Sequence, residues 1–169
     1  CSSLKGIRFM RNYTLKTPDK EVLTESKAEV IMINLKDRSI VRPKDAEYFK
    51  NYLYNTDLAN SCGDPKKIDA MCTGEVYERT IRFSDIDYNG HMNNTRYPDM
   101  LCDFTEGILS RQVVGLSMSF LHEASYGHTL KVYRVDRGEE HLFRTVDADG
   151  TTCLEARLLT EPARDAAER

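Results

Sequence analysis

Residues 84–94 read Ser-Asp-Ile-Asp-Tyr-Asn-Gly-His-Met-Asn-Asn, so two carboxylates, one imidazole and three carboxamides fall within eleven positions. Side chains of these types can cage a cation with their oxygens, move a proton during catalysis, or cap the first turn of a helix. Asp85, Asp87, Asn89 and Gly90 fit the opening of an EF-hand calcium loop. The fit fails at the loop's last position, where a bidentate Glu must close the oxygen cage and the cation Arg96 stands instead. An EF-hand also needs a helix ahead of its loop, whereas Thr80-Ile81-Arg82-Phe83 alternates as a strand. Capping accounts for Asn93 or Asn94 at the start of the helix that follows. One cap needs one such residue, and Asp85, Asp87 and His91 are left without a task, although Asp and Asn also favour turns for local reasons.

The elements around the cluster are legible from periodicity. Val76 to Phe83 reads as a strand, and Tyr97, Leu101, Phe104 and Ile108 recur at the spacing of a helix with one buried face. Pro98 inside that helix would remove a backbone donor and crowd the carbonyl of Asn94, which predicts an irregular start. Leu116, Met118 and Phe120 then alternate, and Leu130 to Val135, Leu142 to Val146 and Cys153 to Leu159 are further strands. The last two are joined across Asp149-Gly150, a hairpin signal. One helix against one antiparallel sheet is an α+β arrangement. Upstream, Ile7 to Leu15 and Val22 to Leu35 form a hairpin around Thr17-Pro18-Asp19-Lys20, and Lys36-Asp37-Arg38 turns into a short Ile40-Val41 strand. After Pro43, the spacing of Ala46, Phe49, Tyr52 and Leu53 predicts a helix. Residues from Asn55 to Lys67 read as linker.

A weak internal repeat links the two blocks. Aligning Asp19 with Asp149 also aligns Glu25 with Glu155 and Lys27 with Arg157, an offset of 130 residues. Only 18 residues precede Asp19, too few for the opening strand and helix of a complete first copy.

Composition excludes several classes. A chain of 169 residues with net charge -3 and scattered Lys and Arg lacks the basic footprint of a nucleic-acid binder. The longest apolar run, Val30 to Ile33, is far shorter than a membrane helix. Five cysteines at 1, 62, 72, 102 and 153 form no Cys-x-x-Cys pair, which suits free thiols in a reducing cytoplasm. Cys102, beside Leu101 on the helix, is expected as a small core hydrophobe. A start at Cys1 with no leader ahead of it predicts an excised or truncated chain, the alternative being a lipid-modified mature terminus.

The segment Ser84 to Tyr97 closely resembles the signature of the acyl-acyl carrier protein thioesterases, a family with two hot-dog domains that includes plant plastid enzymes and bacterial relatives. Phe120-Leu121-His122-Glu123-Ala124 resembles that family's next motif. Gly6-Ile7-Arg8-Phe9-Met10-Arg11 and Val30-Ile31-Met32-Ile33-Asn34-Leu35 resemble the end of its first domain. The resemblance covers nearly the whole chain. It implies an α+β hot-dog fold, an antiparallel sheet wrapped around a long central helix, with one complete unit and the C-terminal part of another. The expected divisions are 1–54 for that C-terminal part, 55–73 for a linker, 74–160 for the complete second unit and 161–169 for a charged tail.

By the same resemblance Asp87, Asn89 and His91 match the family's catalytic Asp-x-Asn-x-His, and Glu123 matches its downstream catalytic Glu. Some members carry Cys directly after that Glu; Ala124 stands here, so water is the expected nucleophile. Strict alternation puts Glu123 opposite the Leu116, Met118 and Phe120 row, so a bend or bulge must turn it to the site. Taken alone, Glu123 reads as a solvated strand-end carboxylate. His122, His128 and His141 read as ordinary surface or interface residues. The implied chemistry is hydrolysis of fatty acyl-acyl carrier protein thioesters in a bacterial cytoplasm, with no cofactor and no metal. The implied partners are acyl carrier protein with its acyl chain and a second copy of the chain, with no nucleic acid and no membrane. Arg79, Arg82, Arg96, Lys131 and Arg134 are candidate contacts for an acidic carrier. The competing readings are a non-catalytic acyl-thioester binding module and an acyl-CoA thioesterase.

Overall fold

The computed structural model of the chain describes residues 3–47, 60–70 and 74–163. The chain separates into two compact units, 1–66 and 67–169, divided inside the 55–73 segment.

In the first unit four antiparallel strands lie in the order β1 (Ser3–Lys5), β2 (Arg8–Lys16), β3 (Val22–Ile33), β4 (Ile40–Val41). The hairpin, its turn and the short fourth strand are those that the sequence pattern predicts. Phe9 and Met10 are buried, but Tyr13, Leu15, Val22, Leu23, Ile31 and Ile33 are each between 45 and 60 % exposed. Pro43 opens a 3-10 turn that ends at Asp45, and the expected helical positions Phe49, Tyr52 and Leu53 lie outside the described residues. Segment 60–64 docks on the hairpin through polar ties. Glu25 accepts the Ser61 N–H at 2.8 Å, Asn60 donates to the carbonyls of Tyr13 and Ser26 at 3.2 Å each, and Lys27 pairs with Asp64 at 3.2 Å.

The second unit is a five-stranded antiparallel sheet in the order β5 (Glu75–Thr80), β7 (Thr129–Arg137), β8 (Glu140–Val146), β9 (Thr152–Pro162), β6 (Arg111–Phe120). Helix α1 (Arg96–Asp103) packs on one face, burying Tyr97, Met100 and Leu101 against Leu130, Val132, Phe143, Leu154, Ala156 and Leu158. This is the α+β hot-dog arrangement that the resemblance implies. Burying those apolar faces is its dominant stabilisation, roughly 1.5–3 kcal/mol for each large side chain withdrawn from water.

Three expectations are corrected. Strand β5 stops at Thr80 rather than Phe83, because the Ile81 carbonyl takes the Gly127 N–H instead of that of its register partner His128, and Phe83–Asp85 closes a 3-10 turn. The helix has 8 residues and is not long. The Thr105 hydroxyl donates back to the Leu101 carbonyl at 2.7 Å, Arg134 donates to the Phe104 carbonyl, and Gly107 takes a left-handed φ of 66°. Each satisfies or redirects a carbonyl that another helical turn would need, so Ile108 falls in a separate 3-10 turn, Ile108–Ser110. Pro98 takes no hydrogen bond from the helix, since at the third helical position an N–H would have had no partner anyway, and the entry ahead of it is a tight turn in which the Arg96 N–H donates to the Asn93 carbonyl at 2.9 Å.

Arg134 and His141 are also corrected, because both are buried rather than exposed. They sit on the helix side of β7 and β8 within one polar chain. Arg134 Nε lies 3.3 Å from Asp136, Asp136 lies 2.8 Å from His141 Nδ1, and His141 Nε2 lies 3.1 Å from the Thr160 hydroxyl, which accepts from Arg111 at 2.7 Å. Buried polar groups on strands need such partners. On the other sheet face Ile68 and Ala70 pack on Leu142 and Val135, so the end of the expected linker is part of the second unit's core.

Moving β3 forward by the 130-residue offset gives 152–163, against the observed Thr152–Pro162 of β9, and moving β2 gives 138–146, against Glu140–Val146 of β8. The repeat seen in sequence therefore coincides with repeated strands.

Candidate active site

The cluster folds into a small loop clamped to the chain that follows β6. Asp87 N–H donates to the His91 carbonyl at 3.0 Å, Gly90 N–H donates to the Asp87 carbonyl at 3.0 Å, and Gly90 supplies the left-handed φ of 80° that closes the turn. Asp87 Oδ1 accepts the Asn89 N–H at 2.8 Å, an Asx-turn that fixes the loop tip. Met92 N–H donates to the Ala124 carbonyl at 2.7 Å, and His91 and Ser125 form a further bridge.

The bend required for Glu123 is present. Strand β6 ends at Phe120, and the next two N–H groups, of Leu121 and His122, share one acceptor, the Cys153 carbonyl, at 2.8 and 3.3 Å. Two successive donors on one oxygen break the strand's alternation, and Glu123 turns toward the loop. Its carboxylate Oε2 lies 3.3 Å from His91 Nε2, with the side chains 51 % and 28 % exposed.

Asp87, Asn89, His91 and Glu123 thus line one cavity of about 340 Å³. Its other wall is apolar, formed by Met92, Tyr97, Phe120, Leu121 and Ala124. None of these five stands out in sequence, except that they belong to or flank the two motifs. His122, read there as a surface residue, is exposed and lines the cavity as well.

Asp85 belongs to the fold rather than to the site. It is 4 % exposed, with one carboxylate oxygen 2.8 Å from Arg79 and the other accepting the Arg82 N–H at 2.8 Å. Those bonds spend the oxygens that a calcium loop would need. Asn93 serves the helix entry, its Oδ1 accepting the Thr95 N–H and hydroxyl at 2.9 Å each. Asn94 is exposed and lines the cavity.

Among the described residues Cys62, Cys102 and Cys153 are free. Burial raises the thiols of Cys102 and Cys153, with Asp99 and Asp103 adding to the first and Asp147 to the second, so neither is a ready nucleophile. No three His, Cys, Asp or Glu side chains among the described residues are grouped to hold a metal ion. Of the basic candidates, Arg79 is tied to Asp85, and Arg134 is buried, so neither is offered to a partner. Arg82, Arg96 and Lys131 are exposed.

No curated protein matches the chain. Among solved structures it is similar to an acyl-ACP thioesterase from Bacteroides thetaiotaomicron, with a TM-score of 0.78 and 19 % identity over 95 % of this chain and 65 % of that one. A protein from Lactobacillus plantarum described as an oleoyl thioesterase gives 0.69 and 19 % over the same shares. The 12:0-ACP thioesterase from Umbellularia californica gives 0.69 and 16 % over 91 % of this chain and 61 % of that one. The chain therefore spans less than two thirds of each of these relatives, and at such identities the likeness is one of fold. The family described as acyl-ACP thioesterase C-terminal domain matches residues 69–155, 87 of the 169, and takes in the loop, the helix and the bend that carries Glu123. On that match the chain belongs to the acyl-ACP thioesterase family.

Proposed function

We propose that this chain hydrolyses fatty acyl-acyl carrier protein thioesters, releasing free fatty acid and the carrier's thiol. The observation that supports this reading most is the 3.3 Å approach of His91 Nε2 to Glu123 Oε2 in a cavity shared with Asp87 and Asn89. A water held between His91 and Glu123 gives up a proton to them and attacks the acyl carbon, a general-base contribution of roughly 10² to 10⁴-fold. Electrons of the carbonyl pass to its oxygen. Asn89 and a backbone N–H at the start of α1 receive that oxyanion, aided by the positive end of the helix dipole; one such donor is commonly worth about 10² to 10³ in rate. Collapse of the adduct breaks the carbon–sulfur bond, and the departing thiolate takes the proton. Asp87 acts as a positioning residue, since its carboxylate holds the backbone of Asn89.

On this reading the first unit is the C-terminal part of another hot-dog domain, residues 1–54, and 74–160 is the complete unit. The partners are acyl carrier protein with its acyl chain, in a bacterial cytoplasm, and a second copy of the chain across an exposed sheet edge, β6 being a ten-residue edge strand. Among the described residues no helix is long and apolar enough to cross a membrane. Release of thiol from acyl-carrier and acyl-CoA substrates, followed in parallel, tests the reaction and its carrier. His91→Ala is expected to lose about 10²-fold or more in kcat/KM, and Asp87→Ala to follow it. Binding of the thioester with no mutant-sensitive hydrolysis would leave a binding module instead.

A further inference from the structure

Hydrolysis and the closing of the loop use Asp87, Asn89, His91 and Glu123 of the cavity and leave Tyr97 without a part. Tyr97 lines the cavity from the first turn of α1, is only 2 % exposed, and packs its ring edge-on to Phe120 with centroids 5.5 Å apart. Among the described residues its hydroxyl has no hydrogen-bond partner, and it is not one of the atoms sealed from solvent. A hydroxyl in such surroundings is costly to leave unpaired. Burial pushes the phenol well above its ordinary range, so it stays a neutral O–H donor at working pH.

The cavity's size says which part of a ligand reaches it. At the roughly 30 Å³ a water takes up, about 340 Å³ is room for on the order of ten heavy atoms. The attacking water, the thioester carbonyl and the sulfur belong beside Asn89, His91 and Glu123. Only the first few carbons of an acyl chain then fit against Met92, Phe120 and Leu121, in an apolar wall where Tyr97 is the residue that carries a hydroxyl.

We propose that the Tyr97 hydroxyl donates a hydrogen bond to an oxygen carried on the first carbons of the acyl chain, so that 3-hydroxyacyl or 3-oxoacyl thioesters are preferred to plain ones. This deepens the thioesterase reading and rests on it. A site built to pair with a substrate oxygen discriminates against the analogue that lacks it, because its own polar group is then stranded.

The test compares 3-hydroxyacyl, 3-oxoacyl and plain acyl thioesters of one chain length, with wild type and Tyr97→Phe, which keeps the ring. The wild type is expected to favour an oxygenated substrate by about tenfold in kcat/KM, one hydrogen bond's worth, and Tyr97→Phe to erase that ratio. Titration calorimetry with the matching thioethers, which cannot be hydrolysed, reads the same ratio as affinities. Equal treatment of plain and oxygenated ligands by the wild type, or a ratio that survives in Tyr97→Phe, overturns the proposal. Selective thioether binding without turnover of any thioester upholds the Tyr97 contact and removes the hydrolase reading.

Discussion

The β2–β3 hairpin of the first unit and the β8–β9 hairpin of the second are the same local structure in two settings. Thr17 N–H donates to the Glu21 carbonyl at 2.9 Å in one, and Asp147 N–H donates to the Thr151 carbonyl at 3.0 Å in the other, 130 residues on. In both turns a side-chain oxygen takes the closing N–H, Thr17 Oγ1 from Glu21 at 3.0 Å and Asp147 Oδ1 from Thr151 at 2.9 Å. Lys20 and Gly150, matched by the same offset, both have left-handed φ, at 70° and 83°. What differs is the cover. Phe143, Leu154, Ala156 and Leu158 disappear under α1, whereas Tyr13, Leu15, Leu23 and Ile31 stay substantially exposed. Turn chemistry sets a hairpin locally, but its worth to stability depends on what another element buries against it.

Truncating each hairpin separates these effects most strongly. Phe143→Ala, at a fully buried position, is expected to cost about 3–5 kcal/mol in chemical denaturation. Tyr13→Ala, at a residue 49 % exposed, is expected to stay within about 0.5 kcal/mol. Equal costs would mean that the first hairpin is as well covered as the second.

Exchanging the turn residues probes the part that the two share. Gly150→Lys meets no atom within 4 Å, so only backbone strain opposes it, about 1–2 kcal/mol. Lys20→Gly is expected to stabilise the first hairpin by about 0.5 kcal/mol, the strain relieved less the chain entropy glycine adds. Opposite signs in thermal unfolding would show that the turns obey one rule.

The smallest effect distinguishes the aligned acids. Glu155 is buried beside Arg144 at 2.7 Å, while Glu25 meets water and holds Ser61. The Ser61 hydroxyl and N–H hold the Glu25 carboxyl below its ordinary 4.5. A depressed carboxyl pKa contributes stability that is present above 4.5 and lost as pH falls through the folded value. Faster amide exchange at Ser61 is therefore expected only on acidification below that range, and Glu25→Gln should show it already at neutral pH.

Much of the second unit was legible because its signals are local. Asp149-Gly150 marks a turn by its own chemistry, and Asp87, Asn89 and His91 sit close enough together to be read as one group. Glu123 was harder, since its approach to His91 depends on two N–H groups sharing the Cys153 carbonyl, a partner thirty residues away in sequence. The helix was overestimated because apolar spacing continues through Phe104 and Ile108 after Thr105 and Arg134 have already taken its last carbonyls. Arg134 and His141 were misplaced because a polar residue on a strand looks like the outer face until its buried partners are known.

The sequence by itself determined the turns, the strand order along the chain, the Asp-x-Asn-x-His group and the absence of a calcium-closing Glu, since each depends on residues within a few positions of one another. Only the tertiary structure decided that His91 meets Glu123, that Asp85 serves Arg79, and that Tyr97, its hydroxyl without a partner, lines the cavity. Those outcomes rest on which buried polar groups find one another when separate elements pack, and no local pattern encodes that pairing.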